Sequence, residues 1–305
     1  MEQTGSMLFE WMEGKILMRY RKAVTTLVVC IVLLSLIASA YGLLSNQGDG
    51  IHDFKSVHGE TVKIYGKGLY QNDSVSMVAQ GKAQDIVTLV LGIPLLVLSL
   101  YLARKGLLKG RLLLTGTLGY FLYTYISYTF LWMYNPLFLV YVVLMSASFF
   151  AFTLSMMSFD IEAMRSSFSE KLPVKFIGGF QIFLAVALGL LWLGRIVPSL
   201  SSGTAPVGLE HYTTLVIQGM DLGFIVPAAF LSGVLVLRRK NFGYLLSAVI
   251  IIKGLTMGTA LTAMIIGQAA AGVQMSVVEM AMFPLFSLFI IYCLVLILKN
   301  IDERV

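Results

Sequence analysis

The chain has 305 residues, of which 58% are hydrophobic and only 12% are charged. Soluble domains carry about 25% charged residues, so a soluble fold of this composition would leave much apolar surface in water. The 22 Lys and Arg residues stand at the ends of apolar runs and form no basic domain, which argues against a nucleic-acid partner. The composition therefore predicts an integral membrane protein whose main partner is the lipid bilayer.

The apolar runs predict an all-α, polytopic membrane helix bundle of about eight transmembrane helices, with a small extracytoplasmic cap between helices 1 and 2. Each span needs about 20 apolar residues to cross ~30 Å of hydrocarbon. The predicted spans are 23–44, 84–103, 112–132, 137–158, 175–198, 213–237, 242–267 and 277–298. The layout is a cytoplasmic N-terminal segment 1–22, a transmembrane domain 23–298 with the extracytoplasmic loop 45–83 inserted, and a cytoplasmic tail 299–305.

The weakest predicted boundary is Tyr134-Asn135-Pro136, which divides one long apolar stretch into two spans. Proline disfavours helix at the preceding residue, so Asn135 is expected in a tight turn.

Basic residues in the short connecting segments predict the orientation. Most Lys and Arg residues fall in alternate segments: Lys15, Arg19, Arg21, Lys22, Arg104, Lys105, Lys109, Arg111, Arg165, Lys171, Lys175, Arg238, Arg239, Lys240, Lys299 and Arg304. These segments are expected to face the cytoplasm. Together with an even number of spans, this predicts a plasma-membrane protein with both termini cytoplasmic.

The 45–84 outer loop is the only sizeable polar segment. Its stretch Glu60–Tyr65 alternates polar and apolar residues, as a half-exposed strand does. Asp73-Ser74 is typical of the cap of a short helix that runs into the second span. The loop is interpreted either as a lid over the outer face or as a ligand-binding or partner-binding element.

Two charges lie deep in predicted spans, where each costs about 2.5–3.5 kcal/mol on the insertion scale. Asp221 lies in the sixth span and Lys253 near the middle of the seventh. The spans are joined by a short turn, so the two side chains should lie at similar depths on adjacent antiparallel helices. We expect an Asp221–Lys253 ion pair, either as a functional site or as a purely structural contact.

Neighbouring residues extend this constellation. Polar stripes add Gln218 and Thr214 on the sixth helix and Thr256 on the seventh. Gly254 and Gly258 are spaced for the close approach of another helix. Pro227 should disturb the helical hydrogen bonding one turn from Asp221.

A second constellation is expected at the outer boundary, where five charged or titratable residues lie near the ends of four predicted spans. These residues are Asp85, Arg195, Glu210, His211 and Glu279. They are interpreted either as the mouth of a vestibule that leads toward Asp221 or as ordinary interfacial side chains.

The third span is rich in aromatic residues, of which those near its outer end fit an interfacial belt. Tyr120, Tyr123 and Ser127 lie on a face that could line a cavity for an aromatic or lipid-like ligand. Ordinary helix packing is the alternative.

No pattern predicts catalysis, so an enzyme is disfavoured. Hydrolase, metalloprotease and phosphate-loop signatures are missing from the sequence. Cys30 and Cys293 stand alone, and His52, His58 and His211 are dispersed, so neither a cofactor nor a metal site is predicted.

Several segments carry a resemblance to a group of uncharacterised bacterial multi-pass membrane proteins. They are Gly68-Leu-Tyr70, Asp73-Ser74, Gln84-Asp85, Pro94, the stretch from Tyr120 to Phe138, Met220–Pro227 and Lys253-Gly254. The resemblance implies a multi-pass membrane fold and brings no activity.

Three functions remain open. The first is an ion- or proton-coupled transporter or channel in which Asp221 and Lys253 form a midplane switch, with a small molecule or an ion as substrate. The second is a non-catalytic sensor or assembly subunit that uses the 45–84 outer loop. The third is a lipid-processing membrane enzyme. The sequence indicates neither the substrate nor the oligomeric state.

Overall fold

The computed structural model describes residues 2–275 and 277–303, except for the side chains of 2–19, 278 and 279. This part of the chain folds into eight long helices and one small two-stranded sheet. The helices are α1 (Glu2–Leu44), α2 (Val75–Arg104), α3 (Leu108–Phe130), α4 (Phe138–Met157), α5 (Val174–Ser202), α6 (Val216–Leu237), α7 (Asn241–Ala270) and α8 (Val277–Lys299). The protein is an all-α polytopic helix bundle, as the apolar runs predict.

The helices run between two ends of the bundle, which we name the cap face and the terminal face. The cap face carries the loop after α1. The terminal face carries the α2–α3 turn, the α4–α5 loop and residues 300–303. There, Ile301 pairs with Phe168 as an isolated β-bridge, and the Glu303 carboxylate accepts the backbone N–H groups of Leu108 and Lys109 at 2.7 and 3.1 Å. Which face is cytoplasmic stays a prediction.

Seven of the eight helices are long and apolar enough to cross a membrane, and α3 is the exception. It is nevertheless 23 residues long, roughly 35 Å, and it connects the terminal face to the cap face. It packs against α2, α4 and α7, and its Thr and Tyr side chains are largely buried against these helices. A helix surrounded by protein needs no apolar outer surface, which explains its lower hydropathy.

The cap is a small hairpin followed by a turn. Strands β1 (His52–Lys55) and β2 (Thr61–Ile64) pair antiparallel. The predicted strand is thus confirmed, whereas its partner was not predicted. Gly66 has φ +70°, and a Cβ there would lie 1.9 Å from the Gly50 carbonyl oxygen, so only glycine fits this close approach.

Two predicted boundaries can be compared with the helix ends. The Ser74 hydroxyl caps α2 by accepting the Met77 N–H at 3.2 Å, which confirms the predicted cap. The short helix and the span predicted from residue 84 form one helix that begins at Val75. The turn at Asn135 is confirmed: the Asn135 side-chain oxygen accepts the Leu137 N–H at 3.0 Å between α3 and α4.

Two helices contain a wide π-turn just before a proline. The turns are Thr88–Gly92 in α2, before Pro94, and Asp221–Ile225 in α6, before Pro227. In α6 the Val226 N–H donates to the carbonyl of Asp221, five residues back. The disturbance expected from Pro227 therefore takes the form of a π-turn, a feature often found at functional sites.

The half of the bundle near the terminal face is closely packed. A Cβ at Gly116 of α3 would lie 2.4 Å from the Ile252 Cβ of α7, and a Cβ at Gly178 of α5 would lie 2.9 Å from the Gly233 carbonyl of α6. Apolar side chains of α5–α8 and of the α4–α5 loop form a continuous core there. This core closes the bundle on the terminal side.

Candidate intramembrane binding cavity

A cavity of about 550 Å³ lies in the half of the bundle near the cap face. Its walls come from α2, α3, α5, α6, α7 and α8, and residues 208–210, 212, 214, 215 and 273–275 line its end at the cap face. Its volume falls in the range of about 300–1,000 Å³ that is typical of small-molecule sites. Most of the accessible wall is apolar, and its charged side chains are Arg195, Glu210, Asp221 and Lys253.

Asp221 is held at the cavity wall by two aromatic donors. The Tyr123 hydroxyl of α3 donates to its Oδ1 at 2.8 Å, and the Trp192 indole N–H of α5 donates to its Oδ2 at 2.9 Å. Both carboxylate oxygens are thus satisfied by neutral groups, and the carboxyl is only 7% exposed. The π-turn that begins at Asp221 widens α6 at this level.

Lys253 lines the same cavity but forms no direct ion pair with Asp221. Its ammonium lies 4.1 Å from the ring centroid of Tyr123, a cation–π contact. No hydrogen-bond acceptor among the described residues meets the Lys253 ammonium. Tyr123 therefore separates the two charges: its ring faces the lysine, and its hydroxyl binds the aspartate. This arrangement differs from the expected Asp221–Lys253 pair.

The other residues expected near this pair divide into two groups. Gln218 and Thr214 line the cavity. Thr256 is fully buried, and its hydroxyl donates to the Lys253 carbonyl at 2.9 Å, away from the cavity. The close approach expected at Gly258 is confirmed, since a Cβ there would lie 2.7 Å from the Ser287 Oγ of α8.

The five residues expected at the outer boundary do not form one ring. Arg195 and Glu210 lie at the cap end of the cavity, and the Arg195 Nε donates to the Val207 carbonyl at 2.7 Å. His211 lies beside a smaller cavity of about 180 Å³. The side chain of Glu279 lies outside the described residues. Asp85 is buried elsewhere.

Asp85 belongs to a separate cluster of tyrosines between α1, α2, α3 and α4. Its carboxylate accepts the Tyr70 hydroxyl at 2.6 Å and the Tyr128 hydroxyl at 3.1 Å. The rings of Tyr70 and Tyr128 lie 4.8 and 5.2 Å from the ring of Trp132, centroid to centroid. We name Asp85, Tyr70, Tyr128 and Trp132 the tyrosine cluster.

Of the aromatic-span residues expected to line a cavity, Tyr123 and Ser127 do so. Tyr120 instead meets α2, where its hydroxyl contacts the Thr88 hydroxyl at 2.9 Å and accepts from the Gln84 amide at 2.7 Å. Gln84 itself reaches the cavity wall, so it connects the cavity with the Tyr120 side of α3.

A set of polar contacts, which we name the cap latch, joins the 45–84 loop to the segment before α6. The Tyr212 hydroxyl donates to Asp73 at 2.9 Å, the Ser74 hydroxyl donates to Glu210, and the His211 Nε2 donates to the Asn72 carbonyl at 3.0 Å. Asp73 also accepts the backbone N–H of the α3–α4 turn at 3.0 Å. The latch therefore ties three segments of the cap face together.

The two carboxyl groups of the cap latch hold protons more tightly than free carboxyls. Burial raises the pKa of Asp73 from 3.8 to about 7; its hydrogen bonds lower it by less, and the nearby Glu210 adds to the rise. Burial also raises the pKa of Glu210. The Asp73 Oδ2 and the His211 Nδ1 are buried without a hydrogen-bond partner among the described residues.

We predict that the cap latch weakens as the pH rises from about 4 to 7. A carboxyl whose pKa is higher in the folded chain stabilises it fully below the unfolded pKa of 3.8, and this stability is lost as the pH rises through the folded pKa of about 7. Hydrogen exchange of residues 52–74, corrected for intrinsic rates, should show local opening increasing by up to about tenfold per pH unit in this range. Asp73→Asn should remove most of the dependence, and an unchanged pH profile in that variant would contradict the assignment.

Most residues of the cavity wall were not predicted, and two of them, Trp192 and Gln84, make hydrogen bonds to predicted site residues. Both carry a polar group inside an apolar span, and a buried indole N–H needs an acceptor. Trp192 lies deep in the fifth predicted span, so this requirement was the available signal for its contact with Asp221.

No protein-family model matches the chain, and no curated protein or solved structure matches it either. The fold and the cavity therefore define the protein as a multi-pass α-helical membrane protein with a one-sided cavity between its helices. The resemblance to bacterial multi-pass proteins stays an expectation.

Proposed function

We propose that the protein is a proton-coupled carrier of a small organic anion, which binds in the cavity with its acidic group at Lys253. The observation that carries this proposal is the Lys253 ammonium, which faces a cavity of ligand size and meets an aromatic ring but no described hydrogen-bond acceptor. An ammonium has three donors, so a carboxylate or sulfonate would supply the acceptors that the protein does not.

The one-sided shape of the cavity favours a carrier over a channel. The close contacts of Gly116 with Ile252 and of Gly178 with Gly233 close the bundle on the terminal side. A carrier that alternates between two states has such a cavity in each of them. The π-turn at Asp221 and Pro227 supplies a segment of α6 where the helix can change its hydrogen bonding.

Charge balance supports coupling to protons. Without a ligand, Asp221 and Lys253 compensate each other across Tyr123. An anion at Lys253 adds a second negative charge in a low-dielectric site, where uncompensated charge is costly. Movement of a proton together with the anion keeps the net charge of the cavity unchanged, and Asp221 is the acidic residue of its wall that we expect to take part.

Binding and uptake of benzoate, benzenesulfonate and octanesulfonate by purified protein in vesicles test this proposal. Lys253→Met should weaken binding by about 10–100-fold, as expected for a lost charge-assisted hydrogen bond of about 1.5–3 kcal/mol. The matched control is Lys175→Met, which replaces an exposed lysine at the start of α5. Asp221→Asn should retain binding but lose the stimulation of uptake by a pH gradient. If none of the three anions binds in a Lys253-dependent manner, the proposal fails.

A sensor that uses the 45–84 loop is the second candidate, because the cap latch connects that loop to Glu210 and Tyr212 at the end of the cavity. Such a protein would bind the anion through Lys253 without moving it. Lys253-dependent binding that is accompanied by altered hydrogen exchange in the cap and by no uptake would favour the sensor.

A further inference from the structure

The helices α5 and α8 meet through a ladder of aromatic pairs. These are Phe176 with Tyr292, Phe180 with Phe289 and Phe183 with Phe286, with ring centroids 5.6, 5.7 and 6.1 Å apart. The ladder starts near the terminal face and ends at Phe183, about a third of the way along α5.

The next position on the same face of α5 is small. Residues 176, 180, 183 and 187 follow the helical spacing i, i+4, i+7 and i+11, and position 187 is alanine. Beyond it, no ring contact or hydrogen bond joins α5 to α8 among the described residues. Pro284, one turn from this level in α8, lacks the N–H that would close a helical bond, so α8 bends more readily there.

The cavity lies directly behind this gap. Leu184, Ala187 and Leu191 of α5 and Met282 and Phe283 of α8 all line it, and Leu191 is 36% exposed. At the cap face the cavity is bordered by the buried Leu209 and Tyr212, and also by Thr214 and Gln274, which are exposed. The route at the cap face is therefore polar, whereas the route between α5 and α8 is lined by apolar side chains.

We propose that this gap is a lateral portal, through which a single-chain amphiphile with an anionic head passes from the bilayer into the cavity, its head at Lys253 and its chain between α5 and α8. The proposal rests on the proposed function, whose substrate class it specifies. The apolar walls match the chain and the ammonium matches the head. Since the portal is bounded below by the Phe183–Phe286 contact, it admits one chain more readily than the two chains of a phospholipid.

Trp192 offers a direct readout, because its ring lies at the cavity wall beside Asp221. Bromine quenches indole fluorescence only at short range. With the protein in vesicles, 9,10-dibromostearate should quench the tryptophan emission in a saturable manner. Most of the quenched emission should be the part that the Trp192→Phe substitution removes. A phosphatidylcholine that carries the same bromines on one chain should not produce this saturable quenching.

The portal itself is tested by Ala187→Phe, which adds the next rung to the aromatic ladder. This variant should slow or abolish the saturable quenching, whereas Val186→Phe, a neighbour that is 48% exposed to lipid, should not. Lys253→Met should shift the half-quenching concentration upward by about tenfold or more. Equal quenching in the wild type and in both phenylalanine variants, or equal quenching by the brominated phospholipid, would overturn the proposal.

These outcomes separate the two proposals. If benzenesulfonate binds through Lys253 but dibromostearate gives no saturable quenching, the anion carrier stands and the portal fails. If neither probe depends on Lys253, both fail. Thermal unfolding of each variant in detergent shows whether a loss of quenching comes from misfolding, and radiolabelled stearate binding repeats the measurement without a fluorophore.

Discussion

Replacement of Asp221 by leucine should lower the free energy of unfolding by about 2–4 kcal/mol, because two buried donors would lose their acceptor. The Tyr123 hydroxyl and the Trp192 indole N–H both end on this carboxylate. Lys253 would in addition lose the negative charge that compensates it across the Tyr123 ring. The loss of stability is measured by heating the purified variants and determining the remaining folded fraction by size-exclusion chromatography.

Two further variants separate the causes. Asp221→Asn keeps one acceptor and should fall between the wild type and the leucine variant. Adding Lys253→Met to Asp221→Leu should restore part of the stability, since the uncompensated charge is then removed. If the leucine variant unfolds at the temperature of the wild type, the carboxylate does not hold α3 and α5 together as we infer.

Replacement of Gly116 by leucine should destabilise the protein by about 3 kcal/mol or prevent folding, as overpacking of a tight interface does. The new Cβ would lie 2.4 Å from the Ile252 Cβ and 3.1 Å from the Val249 carbonyl oxygen, which is backbone and cannot move aside. The interface between α3 and α7, together with the contact between α2 and α7, joins α1–α4 to α5–α8. The yield of folded protein and its unfolding temperature are the measurements.

Gly119→Ala is the matched control on the same helix. Its Cβ would lie 3.4 Å from the Phe152 ring and 3.6 Å from the Lys253 side chain, which are ordinary contacts. This variant should fold with little change in unfolding temperature. Equal losses for the two substitutions would indicate that α3 tolerates no added side chain at all, rather than a specific contact with Ile252.

The sequence was sufficient to predict the positions of the helices, because a segment that crosses the bilayer needs about 20 consecutive apolar residues. It also placed Asp221 and Lys253 at similar depths: counted from the α6–α7 turn they lie about 24 and 18 Å along their helices. Depth follows from counting residues along a helix whose ends are known. The rotation of a helix about its axis cannot be counted in this way, and the error at Tyr120 arose there.

Asp85 shows that the helix ends matter as well. It lies ten residues after the start of α2 and therefore inside the helix, where its carboxylate meets Tyr70 and Tyr128. Tyr123 illustrates the limit set by rotation, because only the packing of α3 against α6 and α7 could place its ring between the two charges. In both cases a hydroxyl from another helix decides the environment of the acid.

The tyrosine cluster also has a spectroscopic consequence. With the rings of Tyr70 and Tyr128 within about 5 Å of the Trp132 ring, light absorbed by these tyrosines should be transferred to the indole and emitted at its longer wavelength. Tyrosine emission should therefore be weak in the folded protein and should return when α1–α4 separate. The ratio of tyrosine to tryptophan emission therefore reports whether α1–α4 are packed together, without any ligand.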